Sequence, residues 1–171
     1  MISVPFLNWK KYAKEGETKT MSIFEQLLAN RILLAGITGW ATAQVLKTII
    51  YAILNKEISF ERLFGDGGMP SGHSATVSAM ATMSLLHYGI GSFEFAVTAM
   101  LAIIVMHDAM GVRLETGKQA KVINEMIELL AEKNYVQVFS EERLKEFVGH
   151  TPLQVGAGCI LGILIGVLLY I

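Results

Sequence analysis

Two long stretches of this chain contain no charged residue. Neither Gly67–Phe93 nor Thr151–Ile171 includes an aspartate, glutamate, lysine or arginine. A helix that crosses a bilayer needs roughly 20 mostly apolar residues, and each stretch supplies that length. The whole chain is 53% apolar and 17% charged, whereas a soluble domain typically carries about 25% charged residues. The sequence therefore predicts an integral membrane protein.

Four apolar segments predict an all-α, polytopic bundle with four transmembrane helices. They run from about Ile32 to Leu54, from Ser71 to Tyr88, from Phe93 to Met110 and from Thr151 to Ile171. Each segment is continuously apolar rather than alternating, which argues against a transmembrane barrel. Because the turn Gly89–Ser92 is short and uncharged, we expect the second and third helices to form a tight hairpin.

The rest of the chain divides into an arm and a loop helix. Residues 1–21 are predicted to form a polar N-terminal arm, and residues 22–171 a single membrane domain. Between the third and fourth transmembrane helices, apolar residues recur at helical spacing and predict an amphipathic helix on the membrane surface or over the bundle. They are Val122, Ile123, Met126, Ile127 and Leu130.

Charge and cysteine content exclude several kinds of partner. The formal net charge is −1, so the chain lacks the basic footprint of a nucleic-acid-binding protein, and we expect no nucleic-acid partner. The single cysteine, Cys159, lies within an apolar run. A lone cysteine excludes both a disulfide framework and a cysteine-based metal site.

The distribution of lysine and arginine predicts sidedness. With four spans, both polar connections lie on one side of the membrane, and they hold more lysine and arginine than the N-terminal arm. The positive-inside rule then places these connections in the cytoplasm. We therefore expect a multi-pass protein of the plasma membrane, with its polar helix ends facing the cytoplasm.

A stripe of glycines marks the last apolar segment. Gly158, Gly162 and Gly166 follow one another at four-residue spacing, a pattern that lets transmembrane helices approach closely. The stripe suits packing against another helix of the same chain, and it equally suits a homodimer. The sequence leaves both alternatives open.

The segment from Gly67 to Ser74 has the character of a phosphate cradle. Its glycines let the backbone approach an anion, and Pro70 suits the start of a helix. Backbone N–H groups at a helix N-terminus favour phosphate. His73 would lie one turn from such an anion, where an imidazole can donate a proton near neutral pH. The alternative is an ordinary helix N-cap preceded by turn-forming glycines, in which His73 has no functional role.

His150 repeats this arrangement at the start of the fourth apolar segment. Two histidines at two helix starts suit a two-step phosphoryl transfer, in which one attacks phosphorus and the other protonates the leaving oxygen. Lys47, Arg113 and Lys118 belong to the same set of helix ends in the four-span topology. They would neutralise the charge on the equatorial oxygens. Taken alone, His150 is equally consistent with an interfacial histidine.

Four motifs together resemble a known superfamily. They are Pro70-Ser71-Gly72-His73 within Gly68–Ser74, then Asp108–Arg113, Gly117–Ala120 and Gly149–Leu153. This set is similar to the divergent, small bacterial and plastid branch of the type-2 phosphatidic acid phosphatase superfamily, which also includes the vanadium haloperoxidases. The resemblance covers about residues 25–171, and the combination of motifs is more specific than the four-residue signature alone.

The resemblance implies roles for individual residues. Lys47 matches the lysine that opens the first signature of the superfamily. The second signature matches fully, which implies that Ser71 and Gly72 contact phosphate and that His73 is the general acid. His150 matches the nucleophilic histidine of the third signature.

Some positions depart from the superfamily pattern. No Arg-Pro pair follows Lys47, and Gln154 occupies the position of the aspartate that orients the nucleophilic histidine. A Ser-Arg pair is also missing at the required distance before His150. Arg113 is the candidate to replace that arginine, and Asp108 is the candidate to supply the carboxylate.

These expectations define one leading function and one alternative. The leading function is a lipid phosphate phosphatase that needs no metal or other cofactor and works through a phosphohistidine. Its substrate would be a lipid phosphate of the phosphatidate, phosphatidylglycerophosphate or polyprenyl phosphate class. The alternative is a non-catalytic phospholipid-binding or lipid-transport protein that keeps the phosphate cradle. Gln154 and the missing Arg-Pro pair favour that alternative.

Overall fold

The computed structural model describes residues 22–57, 68–132, 144 and 149–171. These residues form six helices and no strand, which confirms the all-α fold class. The helices are α1 (Ile23–Ala29), α2 (Arg31–Asn55), α3 (Gly72–Tyr88), α4 (Phe93–Met110), α5 (Val112–Glu132) and α6 (Pro152–Tyr170). The predicted N-terminal arm, residues 1–21, lies outside the described residues, as do residues 58–67, 133–143 and 145–148 of the two polar connections.

The chain divides into two compact units, Met1–Asn30 and Arg31–Ile171. The first contains α1, which begins with a capping box. The Ser22 N–H donates to Glu25 Oε2 at 2.8 Å, and the Glu25 N–H donates to Ser22 Oγ at 3.2 Å. The second unit contains the other five helices. The domain boundary between residues 21 and 22 stays a prediction.

Helices α3 and α4 form the expected hairpin. Helix α3 ends at Gly89, whose φ of 87° lies in the left-handed region that glycine adopts at no steric cost. Ser92 then caps α4, because its Oγ accepts a hydrogen bond from the Phe95 N–H at 3.1 Å. The two helices therefore run antiparallel and pack against each other.

Helix α3 lies at the centre of the second unit, in contact with α2, α4 and α6. The glycine stripe of α6 faces it within the same chain. A Cβ atom at Gly158 or Gly162 would collide with the carbonyl oxygen of Ser71 or Ala75, and one at Gly166 would lie 2.7 Å from Thr82 Cβ. In the structure, the glycine stripe of α6 thus packs against α3 of the same chain. Close backbone approach of this kind replaces a large side-chain core in membrane helix pairs.

One end of this unit holds a group of buried polar side chains. A small apolar core of Ala35, Ala79, Met83 and Ile165 lies well beyond the first turns of α3 and α6, and Ser84 is buried next to Met83. Other buried polar side chains gather around the N-termini of α3 and α6 and the second half of α2. They include Gln44, Lys47, Ser71, Ser74 and His150. Buried polar groups are costly unless they are hydrogen-bonded, so their collection at one end marks a candidate site.

Three segments of the described chain are long and apolar enough to cross a membrane. They are Arg31–Asn55, Phe93–Leu130 and Pro152–Tyr170. The second segment comprises α4, Gly111 and most of α5. Helix α3 has 17 residues, and its rise of about 26 Å falls short of a hydrocarbon core of roughly 30 Å. The predicted count of four spans is therefore not confirmed.

The predicted amphipathic helix is present as α5. It follows α4 after the single residue Gly111 and covers a longer range than the sequence pattern indicated. Most of its apolar side chains are exposed, whereas Asn124 is buried and binds the backbone of Leu144. The Asn124 Nδ2 group donates to the Leu144 carbonyl at 3.0 Å, and the Leu144 N–H donates to Asn124 Oδ1 at 3.1 Å.

Candidate phosphate site at the helix N-termini

The N-termini of α3 and α6 meet through a backbone hydrogen bond. The N–H of Ser71, the cap of α3, donates to the carbonyl oxygen of Gln154 in α6 at 3.0 Å. This contact brings the two sequence-predicted histidines together. The ring centroids of His73 and His150 lie 6.1 Å apart, with the ring planes inclined at 56°.

Backbone contacts hold His150 in place. The residue is only 3% exposed, and its N–H donates to the carbonyl oxygen of Ala109 at 3.1 Å. Gly149 lies directly against the main chain at the start of α5, where a Cβ atom would collide with the backbone of Arg113 and Leu114. The α4–α5 junction therefore fixes the position of His150.

Gln154 orients the imidazole of His150. Gln154 Oε1 accepts a hydrogen bond from the Thr151 N–H at 3.0 Å and lies 3.4 Å from His150 Nδ1. The Thr151 contact fixes which end of the amide is the oxygen, because an NH2 group cannot accept from an N–H. A bond from Nδ1 to this oxygen requires the proton on Nδ1. The second ring nitrogen, Nε2, then carries the lone pair.

Lys47 supplies a buried cation beside the two histidines. It is 6% exposed and lines the same cavity as His73 and His150. Gly68 lies over the aliphatic part of its side chain, since a Cβ atom at Gly68 would be 3.1 Å from Lys47 Cγ. Gly68 also has a φ of 80°, which strains any other residue. This glycine of the predicted cradle therefore makes room for the lysine.

The two predicted phosphate contacts of the second signature have different surroundings. Ser71 is fully buried, and its Oγ accepts hydrogen bonds from the N–H and the hydroxyl of Ser74 at 3.4 and 3.1 Å. Its side chain therefore serves as a helix cap. Gly72 lines the cavity and has no side chain between its backbone and that space. The backbone at the start of α3 is thus accessible to an anion.

The cavity beside these groups measures about 510 Å³, a volume within the usual range for small-molecule sites. Residues of α2, α3 and α4 line it, together with His150, two residues before the start of α6. The lining residues are Leu33, Gly36, Ile37, Trp40, Gln44, Lys47, Gly72, His73, Thr76, Val77, Met80, Val105 and His150.

Three other predicted site residues lie outside this lining. Asp108 accepts a hydrogen bond from Arg113 Nε at 2.8 Å, and both side chains are about two-fifths exposed. Lys118 pairs with Glu115 at 2.7 Å on the exposed surface of α5. Of the predicted site residues, Lys47, Gly72, His73 and His150 line the cavity, whereas Ser71, Asp108, Arg113 and Lys118 do not. Within the described residues, no group of three or more His, Cys, Asp or Glu side chains is arranged to hold a metal ion.

Sequence reasoning missed most of the lining residues, Trp40 and Gln44 among them, and did not predict how Gln154 contacts His150. Trp40 and Gln44 line the cavity on the same face of α2 as Lys47, and their spacing of three and four residues was the available signal. Gln154 counted only as a departure from the superfamily aspartate. The Thr-x-x-Gln spacing of Thr151 and Gln154 predicts a capping box, but not the contact with the imidazole.

Comparison with known proteins supports the resemblance seen in the motifs. The sequence model of the family described as "Divergent PAP2 family" matches residues 28–165. An uncharacterized membrane protein of Bacillus subtilis (strain 168), YuiD, is 38% identical over 152 residues, covering 84% of this chain and 96% of the relative. No solved structure matches the chain. The chain belongs to the divergent PAP2 family, and it is a membrane protein.

Proposed function

We propose that this member of the divergent PAP2 family is a lipid phosphate phosphatase that works through a phosphohistidine. The observation that carries the proposal is the placement of the His73 and His150 rings 6.1 Å apart in a cavity that buried Lys47 also lines. Nucleophilic attack needs a separation of roughly 3–3.5 Å between the reacting atoms, and proton donation a similar reach. The proposal places a phosphoryl group within this reach of both rings.

In the first step, His150 Nε2 attacks phosphorus and forms a P–N bond while the P–O bond to the lipid breaks. The tautomer favoured by Gln154 leaves the lone pair on Nε2. His73 transfers its proton to the departing lipid alkoxide, which leaves as an alcohol. The products of this step are the dephosphorylated lipid and phosphohistidine-150.

In the second step, water replaces the lipid alcohol. Neutral His73 accepts a proton from that water as its oxygen attacks phosphorus, and the P–N bond breaks. Inorganic phosphate leaves, His150 regains its lone pair, and His73 is again protonated. The cycle uses one water per lipid phosphate and needs no metal or other cofactor.

Lys47 and the backbone at the start of α3 stabilise the charge on the transferred group. A cation in a largely dry cavity interacts with equatorial oxygens far more strongly than one in water. The partial positive charge at the helix N-terminus adds to that effect. Asp108, Arg113 and Lys118 lie outside the cavity lining, so the proposal assigns them no contact with the phosphoryl group.

The location of the cavity suits a lipid substrate. Its polar end lies where α3 and α6 begin, so a phosphate headgroup would enter from the membrane surface while the tail stays in an apolar environment. The proposal includes a plasma-membrane location, with this end facing the cytoplasm as the positive-inside rule favours.

The first test is hydrolysis by the purified, lipid-reconstituted protein. We expect inorganic phosphate to be released from phosphatidate, phosphatidylglycerophosphate or a polyprenyl phosphate in the presence of a metal chelator. Vanadate, which mimics the pentacoordinate state of phosphorus, should inhibit this release. A protein that hydrolyses none of these lipids would contradict the proposal, as would activity that vanadate leaves unchanged.

One observation favours the non-catalytic alternative. The group beside His150 Nδ1 is the neutral amide of Gln154, which supplies no negative charge to stabilise a charged imidazole. A phospholipid-binding or lipid-transport protein would retain lipid phosphate in the cavity without releasing phosphate. Saturable binding of a lipid phosphate with no hydrolysis would therefore establish this alternative in place of the enzyme.

Gln154 is a positioning residue in the proposed reaction, and substitution should change kcat rather than KM. We expect Gln154→Leu to lower kcat about ten-fold, the value of one hydrogen bond of roughly 1.4 kcal/mol. Gln154→Glu keeps both acceptor contacts and should retain or raise kcat, with a changed pH profile because the carboxylate favours a charged imidazole. Steady-state kinetics across pH for both variants would check this. Full activity of Gln154→Leu, or an increase in KM with kcat unchanged, would show that the amide does not orient His150.

A further inference from the structure

The cavity extends far beyond the residues that would handle phosphate. Lys47, His73 and His150 occupy one end, whereas the other end is lined by apolar residues of α2 and α3. The proposed chemistry uses only the first end. The apolar portion therefore needs an occupant of its own.

The lining residues trace a continuous path along two packed helices. On α2 they recur at each turn from Lys47 back to Leu33, and on α3 they run from Gly72 through Thr76 to Met80. The path on α3 runs over nine residues, which corresponds to about 12 Å of helix rise between the first and the last. It thus leads from the buried cation into the apolar part of the unit.

A close contact between Gly36 and Met80 restricts the apolar end. A Cβ atom at Gly36 would lie 2.9 Å from Met80 Cγ and 3.0 Å from its Sδ. Any larger residue at position 36 would therefore displace the flexible methionine or occupy part of the cavity that both residues line. The absence of a side chain at Gly36 therefore sets how much of this space stays open.

We propose that this apolar portion is a slot for one hydrocarbon tail of the lipid phosphate, and that Gly36 and Met80 set the tail length it accepts. The identity of the headgroup rests on the proposed function above. The argument for the tail is the continuity of the space. A molecule with phosphate between Lys47 and the two histidines must place its ester-linked or prenyl chain somewhere, and the cavity offers it an apolar path along α2 and α3.

The slot selects tails by shape rather than by hydrophobicity. A tail in a bilayer is already in an apolar solvent, so moving it between two helices gains little from the hydrophobic effect. The affinity for a tail therefore depends on how closely the tail packs in the slot, and overfilling a packed apolar space is unfavourable. The expected signature is discrimination between tails of different length on a common phosphate headgroup.

Trp40 offers a direct probe of occupancy. It lines the cavity, and the chain contains one other tryptophan, Trp9. A Trp9→Phe protein in lipid nanodiscs would be titrated with a phosphatidate phosphonate analogue carrying dibrominated acyl chains, whose C–P bond resists hydrolysis. Diacylglycerol with the same brominated chains at equal mole fraction reports contact with the surrounding lipid. We expect saturable quenching of Trp40 by the phosphonate in excess of that by the diacylglycerol.

Substitutions that narrow or widen the slot should move this signal in opposite directions. Gly36→Leu should weaken apparent binding of the long-chain phosphonate about five-fold or more, the usual effect of overpacking. Met80→Ala should extend the accepted tail length. Gly156→Leu is the matched control, because a Cβ atom at Gly156 meets nothing within 4 Å, and it should bind like the parent.

The outcomes separate the slot from the phosphatase reaction. Excess quenching that Gly36→Leu reduces would support the slot even if no lipid is hydrolysed. Equal quenching by phosphonate and diacylglycerol would overturn it even if phosphate is released. Equal loss of binding in Gly36→Leu and Gly156→Leu would also overturn it. If Gly36→Leu does not fold, a tail-length preference that Met80→Ala leaves unchanged would overturn it.

Discussion

Replacing His150 with alanine is expected to slow lipid phosphate hydrolysis by about a thousand-fold or more, as loss of a nucleophile does in other covalent mechanisms. The backbone N–H that anchors this residue to Ala109 remains in the variant, so the fold should persist. Phosphate release from the reconstituted protein, with thermal unfolding measured in parallel, checks both statements. The wild-type protein should also yield an acid-labile, base-stable phosphoenzyme that the variant lacks.

His87→Ala is the matched control for this experiment. His87 lies in the last turn of α3, at the opposite end from the site, and stacks edge-on against Tyr88 with ring centroids 4.8 Å apart. Its loss should leave the rate unchanged. Residual activity of His150→Ala near the wild-type level would exclude His150 as the nucleophile.

Replacing His73 with alanine is expected to lower hydrolysis of a lipid phosphate by about 10²–10⁴-fold, the usual contribution of a general acid–base group. The effect should depend on the leaving group. A lipid alkoxide needs a proton to depart, whereas an aryl phosphate such as p-nitrophenyl phosphate releases a stable phenolate. The first step with the aryl substrate should therefore survive in the variant, while the second step still lacks a base for water.

This difference predicts an accumulating intermediate. His73→Ala incubated with radiolabelled aryl phosphate should build up phosphohistidine-150, detected as acid-labile label on the protein, to a higher level than in the wild type. Equal slowing of the first, phosphoenzyme-forming step with lipid and aryl substrates would mean that His73 does not protonate the leaving group. Label that is stable to acid would mean that the intermediate forms on another kind of residue.

The helical fold and its boundaries could be read from the sequence because apolar runs and caps are local signals. The apolar run Phe93–Met110 coincides with α4, and the predicted starts and ends of α2, α3 and α6 fall within a residue of those observed. The count of spans was harder to predict. Helix α3 is short, and its small residues indicate packing between other helices rather than contact with lipid.

The candidate site was predictable in part. Lys47, Gly72, His73 and His150 carry strong signals, because ionisable residues and glycine in apolar helix ends are costly without a role. The predicted involvement of Asp108 and Arg113 relied on topology and on the family resemblance, and neither says which side chains turn toward a cavity. Their mutual ion pair outside the cavity depends on side-chain direction, which sequence spacing does not determine.

The hydrogen bond between Ser71 and Gln154 has a consequence for biogenesis. It joins the start of α3 to a helix that follows α2 to α5 in chain order. During synthesis, α2 to α5 emerge before α6 exists, and helix insertion precedes helix association in membranes. His73 and His150 therefore cannot face each other until α6 has docked. A nascent chain that still lacks α6 presents no assembled histidine pair to cellular lipids, so assembly of the site depends on the docking of α6.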